Sequence, residues 1–163
     1  MYPIGMLSFT ARSLRALLLV ALALSMPAAA AQDKPAAARP NLTVYKSPTC
    51  GCCGKWVEYM QANGFTAAVT NLPDVSPMKT KHGVPTRLAS CHTSLVGGYV
   101  IEGHVPVEDV RRLLKEKPAV VGLAAPGMPA GSPGMDVPNS PAYDVVSFDK
   151  DGHMRVFATH KGK

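Results

Sequence analysis

The sequence has few aromatic and few charged residues: 6% and 17% of its 163 residues. A disordered chain is rich in charge and poor in apolar residues, so a hydrophobic content of 47% excludes one. The 17 basic and 11 acidic residues leave a net charge of +6, but the basic residues are scattered and no aromatic residues interleave with them. A groove for single-stranded nucleic acid needs both features, so we exclude nucleic acid as a partner.

The sequence also lacks an apolar run long enough to cross a membrane. The longest, Ala16 to Met26, spans about eleven residues, whereas a membrane-spanning helix needs about 20. Arg12 and Arg15 precede this run, and small residues, Ala28 to Ala31, follow it. A short apolar run between basic and small residues is typical of a cleaved signal peptide.

We therefore divide the chain into three parts: a Sec-type signal peptide at 1–31, a flexible leader at 32–41 that is rich in Ala and Pro, and a single domain at 42–163. Cleavage after Ala30 or Ala31 would release the protein into the periplasm with no membrane attachment. A lipid anchor is excluded because no Cys lies near this cut.

Cysteine is scarce, and three of the four cysteines lie within four residues, Cys50-Gly-Cys-Cys53; the fourth is Cys91. Exported cysteines are normally paired, so two structural disulfides are one interpretation. A bridge inside the cluster, however, closes only a tiny loop and stabilises the fold little. A short strand precedes the cluster, and a helix begins at it, because apolar residues then recur at the spacing of a helix face: Cys53, Trp56, Val57 and Met60. The N-terminus of a helix lowers thiol pKa values, which predicts reactive or metal-binding cysteines.

Two functional hypotheses use these cysteines differently. In one, Cys50 and Cys53 cycle between dithiol and disulfide, as in a thiol-disulfide oxidoreductase, and Cys52 has no clear task. In the other, the three sulfurs and Cys91 hold a soft cation, for which Cu(I) is the best match. Zinc remains possible, but its structural sites normally join two separated pairs of cysteines.

Two methionines in the sequence favour copper as the bound metal. Pro126-Gly-Met128 recurs as Pro133-Gly-Met135 in a loop rich in Gly and Pro, where Met128 and Met135 have no periodic core face to fill. Their thioethers could collect Cu(I), or both could simply cover an apolar surface. His92, beside Cys91, could ligate or tune a metal, but a solvated polar role is the favoured interpretation for it. The same interpretation is stronger still for His82, His104, His153 and His160.

The order of predicted elements is β-α-β-(α)-β-β-α, then a loop and a β-hairpin. Strands are expected at Leu42–Lys46 and Phe65–Thr70, and Gly97-Gly98 is expected to join two short strands as a hairpin turn. A helix with Pro106 in its first turn covers Val107 to Lys117, with Val107, Val110, Leu113 and Leu114 as its buried stripe. This order predicts an α/β, thioredoxin-like or glutaredoxin-like domain with an added C-terminal β-hairpin, Ala142–Phe148 and Met154–His160.

Four stretches, in order, resemble the CopG-type family of periplasmic copper-resistance proteins, long catalogued as a domain of unknown function. They are Val44-Tyr-Lys-Ser-Pro-Thr-Cys-Gly-Cys-Cys-Gly-Lys-Trp56, Ser90-Cys-His-Thr93, Gly98-Tyr-Val-Ile-Glu-Gly-His-Val-Pro106 and Gly127-Met-Pro-Ala-Gly-Ser-Pro-Gly-Met135. The resemblance runs from about Leu42 to His160.

The resemblance implies a thioredoxin-like domain that binds Cu(I) through Cys50, Cys52, Cys53 and Cys91, with several ions possible, and that handles copper in the periplasm. Redox chemistry on the ion, Cu(II) to Cu(I), is a further implication, so an enzymatic role stays open beside binding. Expected partners are copper ions, periplasmic copper exporters or chaperones, and a thiol reductant.

Overall fold

The computed structural model describes residues 39–163. The expected signal peptide, 1–31, and most of the expected leader lie outside the described residues. Seven strands form one sheet: β1 Asn41–Lys46, β2 Thr66–Asn71, β3 His92–Val96, β4 Tyr99–Glu102, β5 Gly122–Ala124, β6 Tyr143–Phe148 and β7 Met154–His160. Three helices accompany it: α1 Gly51–Ala62, α2 Ser76–Lys81 and α3 Val107–Glu116. A mixed α/β fold is therefore confirmed.

The strands lie in the order β2-β1-β3-β4-β5-β6-β7. β1 and β2 are parallel, with α1 as the crossover between them, whereas β3 is antiparallel to both β1 and β4. β5 is parallel to β4, and β6 and β7 pair antiparallel at the far edge. The carboxyl end of β1 and the amino end of β3 thus meet at one place in the sheet.

Helix α1 follows the predicted pattern. Cys53, Trp56, Val57 and Met60 are all buried on one face, and a positive φ of 87° at Gly64 turns the chain after the helix end. The indole N–H of Trp56 donates to the carbonyl of Val105 at 2.9 Å. This side chain therefore fastens the cysteine-bearing helix to the segment that follows β4.

The turn between β3 and β4 is also as predicted. Gly97 and Gly98 have φ values of 55° and 86°, and a type I′ hairpin turn requires a positive φ at both central positions. The turn sets a register in which Val96 faces Tyr99 and Thr93 faces Glu102.

Helix α3 differs from its prediction at both ends. Pro106 is the N-cap rather than a first-turn residue, and the helix ends at Glu116 because Lys117 adopts a left-handed conformation. Leu114 is only partly buried, while Asp109 is buried on the inner face. A short 3-10 helix, Thr86–Leu88, and strand β5 had no sequence prediction.

Two hydrophobic clusters cover the two faces of the sheet. Ile101 and Leu123 point into the larger cluster with α1 and α3, and their neighbours Val100 and Ala124 point into the smaller one. Among the helices of residues 39–163, none combines the length and hydropathy needed to cross a bilayer.

Candidate metal centre

Three cysteines lie at the start of α1. Cys50 is the N-cap, with φ −77° and ψ 95°, and Cys52 and Cys53 belong to the first turn. The first N–H groups of a helix have no partner inside it and carry the positive end of its dipole. No acidic side chain occupies this first turn, so the turn favours negative charge on the sulfurs.

Cys50 and Cys53 form a disulfide in this structure, and Cys52 and Cys91 are free thiols. The pairing is the one expected for a dithiol that cycles between two oxidation states. Cys52 Sγ lies 3.5 Å from Cys50 Sγ. A third thiol next to a disulfide is placed to exchange with it or to serve as a ligand.

Cys91 completes the group from another part of the chain. It lies one residue before β3, and the pairing of β3 with β1 brings it to the start of α1. The four sulfurs of Cys50, Cys52, Cys53 and Cys91 all lie within 4.8 Å of one another. With the Cys50–Cys53 disulfide reduced, the four sulfurs would be clustered soft donors, which suit a soft metal ion such as copper better than a hard cation that prefers oxygen.

Two histidines adjoin the sulfurs, and here the expectation of solvated side chains is wrong. His92 and His104 are fully buried. Cys91 Sγ lies 3.4 Å from His92 Nδ1 and 3.0 Å from His104 Nε2. Together with Cys53 they form a second set of donors within 4.8 Å of one another. Residues Cys50, Cys52, Cys53, Cys91, His92 and His104 are called the Cys/His cluster below.

Burial dominates the electrostatics of the Cys/His cluster. Burial lowers the pKa of His92 well below its ordinary value, helped by the nearby positive groups, and lowers the pKa of His104. Burial, with the neighbouring Cys52, raises the pKa of Cys91 to about 11. At neutral pH both imidazoles are therefore uncharged, which is the form that binds metals.

The hydrogen bonds of His104 show which nitrogen carries the proton. Its Nδ1 lies 2.7 Å from the carbonyl oxygen of Pro133, which can only accept, so Nδ1–H donates. Nε2 then presents its lone pair to the Cys91 thiol. His92 Nε2 is buried and has no hydrogen-bond partner within residues 39–163. The cluster therefore offers imidazole nitrogen as well as sulfur as possible metal donors.

One of the two predicted methionines lies in a segment that reaches the cluster. Gly134 packs so closely on α1 that a Cβ there would lie 2.9 Å from the carbonyl oxygen of Cys52. Met135, the next residue, is partly buried. Met128, at the other end of the loop, is 43% exposed. The second Pro-Gly-Met segment is therefore fixed beside the cluster, whereas Met128 faces solvent.

His104 is the site residue that the sequence analysis missed, although a signal for it existed. A two-residue turn at Gly97-Gly98 fixes the register of β3 and β4. Continuing that register outward for two more pairs places position 104 opposite Cys91. The predicted hairpin therefore indicated that these two side chains meet.

A third group of possible ligands, Asp149, Asp151 and His153, lies at the turn between β6 and β7. Asp149 Oδ1 accepts hydrogen bonds from the backbone N–H groups of Asp151 and His153. The turn itself therefore accounts for this arrangement, and its donors lack the soft sulfur of the main cluster.

Comparison with known proteins shows to which family the chain belongs. The model for a protein of unknown function, DUF411, matches residues 88–135, which include Cys91, His104 and both methionines. Two solved structures of copper resistance protein CopG, form 1 and form 2, are each 39% identical to the chain, with TM-scores of 0.72 and 0.71. They cover 76% and 75% of this chain, which in turn covers 99% and 98% of theirs. The chain belongs to the CopG family.

The CopG structures cover most of residues 39–163 and not only the cysteine motif. The chain has no match among the curated proteins.

Proposed function

We propose that the protein binds Cu(I) in the periplasm and serves copper homeostasis or resistance, with Cys50, Cys52, Cys53 and Cys91 as ligands. The observation that carries the proposal is the meeting of four sulfurs within 4.8 Å at a helix N-terminus. The names of the CopG relatives support it. Since thiolates can bridge as well as chelate, several ions can share the four sulfurs.

A titration of the reduced protein with Cu(I), without oxygen and against a competing chelator, tests binding. Loss of one residue that only hydrogen-bonds to a metal ligand typically weakens metal affinity ~10–100-fold, so the triple variant Cys50→Ser/Cys52→Ser/Cys53→Ser, which loses three ligands, should lose more than ~100-fold. His153→Asn, in the exposed turn, is the matched control and should keep the parent affinity. Equal affinities of the parent and the triple variant would refute the proposal.

The second part of the proposal is reduction of Cu(II). The disulfide between Cys50 and Cys53 supports it, because that bond is the product such a step would leave. Two thiols and two Cu(II) ions would give one disulfide, two Cu(I) ions and two protons. Cys52 and Cys91 stay free to retain the Cu(I). A protein dithiol or small thiol from outside would then regenerate the dithiol.

Rapid mixing of the reduced protein with Cu(II) checks this step. We expect the Cu(II) signal to fall as two thiols disappear for every two ions reduced, and Cys53→Ser to abolish this stoichiometry. A persistent Cu(II) signal with all thiols intact would make the protein a store or carrier rather than a reductase.

The alternative is a thiol-disulfide oxidoreductase that uses no metal, and the same disulfide favours it. Reduction of insulin would then depend on Cys50, while Cys52→Ser would be nearly harmless. If Cys52 matters as much as Cys53, this alternative fails.

We infer an outer role for the methionines, in which Met128 and Met135 pass copper to or from the sulfurs. The packing of Gly134 on α1 supports this role for Met135.

We also infer a thioredoxin-like domain at 42–163, supported by the parallel β1-α1-β2 unit followed by the β3–β4 hairpin. Periplasmic exporters or chaperones are the inferred copper partners.

A further inference from the structure

A buried carboxylate lies behind the Cys/His cluster and outside the chemistry described so far. Glu102, the last residue of β4, is fully buried. Its Oε1 accepts from Lys79 Nζ at 2.6 Å and from the backbone N–H of Ser90 at 2.6 Å. Its Oε2 accepts from the hydroxyl of Thr93 at 2.7 Å. One carboxylate therefore gathers three donors from two parts of the chain, α2 and the segment that leads into β3.

Two of these donors flank Cys91. Ser90 precedes Cys91 directly, and Thr93 follows it by two residues. Lys79 Nζ also donates to the Thr93 hydroxyl at 3.1 Å, which connects α2 to the same group. The Ser90 to Thr93 segment is thus held on both sides of the free thiol by bonds that end on Glu102.

Ser90, in this segment, also packs closely on Gly103, the residue that follows β4. A Cβ built on Gly103 would lie 2.3 Å from Ser90 Oγ and 3.0 Å from the carbonyl oxygen of Ala125. Cys91 itself belongs to no strand or helix. The bonds that end on Glu102 therefore act on its two flanks beside the hydrogen bond from the Gly103 N–H to the His92 carbonyl, 2.9 Å long.

The stability of the fold does not by itself require a charged side chain at position 102. A buried ion pair such as Lys79–Glu102, with exposures of 13% and 0% for the two side chains, often contributes no more stability than an apolar pair of the same volume. Burial raises the pKa of Glu102, while Lys79 and the hydrogen-bond donors act against that rise. What the carboxylate supplies, and an apolar residue would not, is directed bonds to the flanks of Cys91.

We propose that Glu102 is a positioning residue that holds the Cys91 thiol against Cys52 and Cys53, with Lys79 as its counter-ion. The inference rests on the proposed function in one respect, namely that Cys91 is a copper ligand. The position of the thiol can be measured without copper, so the positioning of Cys91 by Glu102 and the binding of copper by Cys91 are tested independently.

The metal-free test uses the variant Cys50→Ser/Cys52→Ser/Cys53→Ser, in which Cys91 is the only thiol. Its alkylation by iodoacetamide is timed with and without Glu102→Gln. Loss of charged hydrogen bonds to both flanks should speed alkylation at least ~10-fold. Asp109→Asn replaces another buried carboxylate, which bonds His160 instead, and should leave the rate unchanged. An unchanged rate in Glu102→Gln would overturn the proposal.

The copper test uses the same substitution with all four cysteines and again with Cys91→Ser. Glu102→Gln should weaken Cu(I) affinity ~10–100-fold when Cys91 is present and should have no effect when it is absent. Equal losses in both backgrounds would overturn the proposal, because they would mean a general structural role. If Glu102→Gln fails to fold, the double variant Lys79→Met/Glu102→Gln, which removes both charges, replaces it in both experiments, and the same results are expected. Failure of the proposed function shows separately, as a parent protein that binds no Cu(I).

Discussion

Two glycines with the same neighbours in sequence have different surroundings in the fold. Gly127 and Gly134 each lie between Pro and Met, and each has a positive φ, 69° and 84°. A Cβ on Gly127 would meet nothing within 4 Å. A Cβ on Gly134 would lie 2.8 Å from the backbone nitrogen of Trp56 and 2.9 Å from the carbonyl oxygen of Cys52. The two positions therefore separate the effect of backbone conformation from that of close packing.

We predict that Gly127→Ala lowers the free energy of unfolding by about 1–2 kcal/mol, the usual cost of a left-handed backbone for a residue with a Cβ. Gly134→Ala should cost about 1–3 kcal/mol more, because backbone atoms of α1 cannot move aside as a flexible side chain can. Urea unfolding of both variants measures the difference. Equal losses would mean that the segment around Gly134 does not pack on α1.

The buried histidines show which residue-scale features escape sequence analysis. Nothing adjacent to His104 in the sequence distinguishes it from a solvated histidine. His92 packs on Trp56, with ring centroids 4.5 Å apart, and His104 packs on His92 and bonds the loop carbonyl of Pro133. Trp56 and Pro133 are distant in sequence, so the hairpin register indicates the meeting of His104 with Cys91 but not the burial of either histidine.

At the scale of elements, strong local signals were reliable. The apolar spacing after Cys53 predicted α1, and Gly97-Gly98 predicted the turn that sets the β3–β4 register. Strand β5 has only three residues, Gly122–Ala124, and exists because it pairs with both β4 and β6. Such a short strand has no period of its own to detect, so the sequence did not predict it.

The cysteine-bearing elements explain why much of the candidate site was foreseeable. A cluster placed between a strand and a helix lies at the helix N-terminus in any β-α unit, and α1 begins there. The approach of Cys91 was not foreseeable on the same grounds. It requires β3 to pair antiparallel with β1, with Lys46 opposite His92, which is a matter of topology rather than of local pattern.

At the scale of the whole molecule, the site is assembled from three separate parts of the chain. The start of α1 supplies three sulfurs, the ends of the β3–β4 hairpin supply Cys91 and the two histidines, and the segment before Met135 closes one side. No part alone brings four sulfurs together. The proposed copper affinity should therefore be lost when the fold is lost, even though the Cys50 to Cys53 motif is local.

The export proposal predicts which form of the protein meets copper. If residues 1–31 are a signal peptide, a cell that exports the full sequence should yield a periplasmic protein beginning at Ala31 or Gln32, because peptidase cleaves after small residues such as Ala30 and Ala31. Intact mass spectrometry of a periplasmic extract measures the start directly. Replacing Arg12 and Arg15 with Glu should slow export, since the basic residues before the apolar run guide its insertion, and should leave precursor in the cell. A full-length chain that stays in the membrane fraction would mean instead that the apolar run acts as an anchor, and the copper centre would then work at a membrane surface.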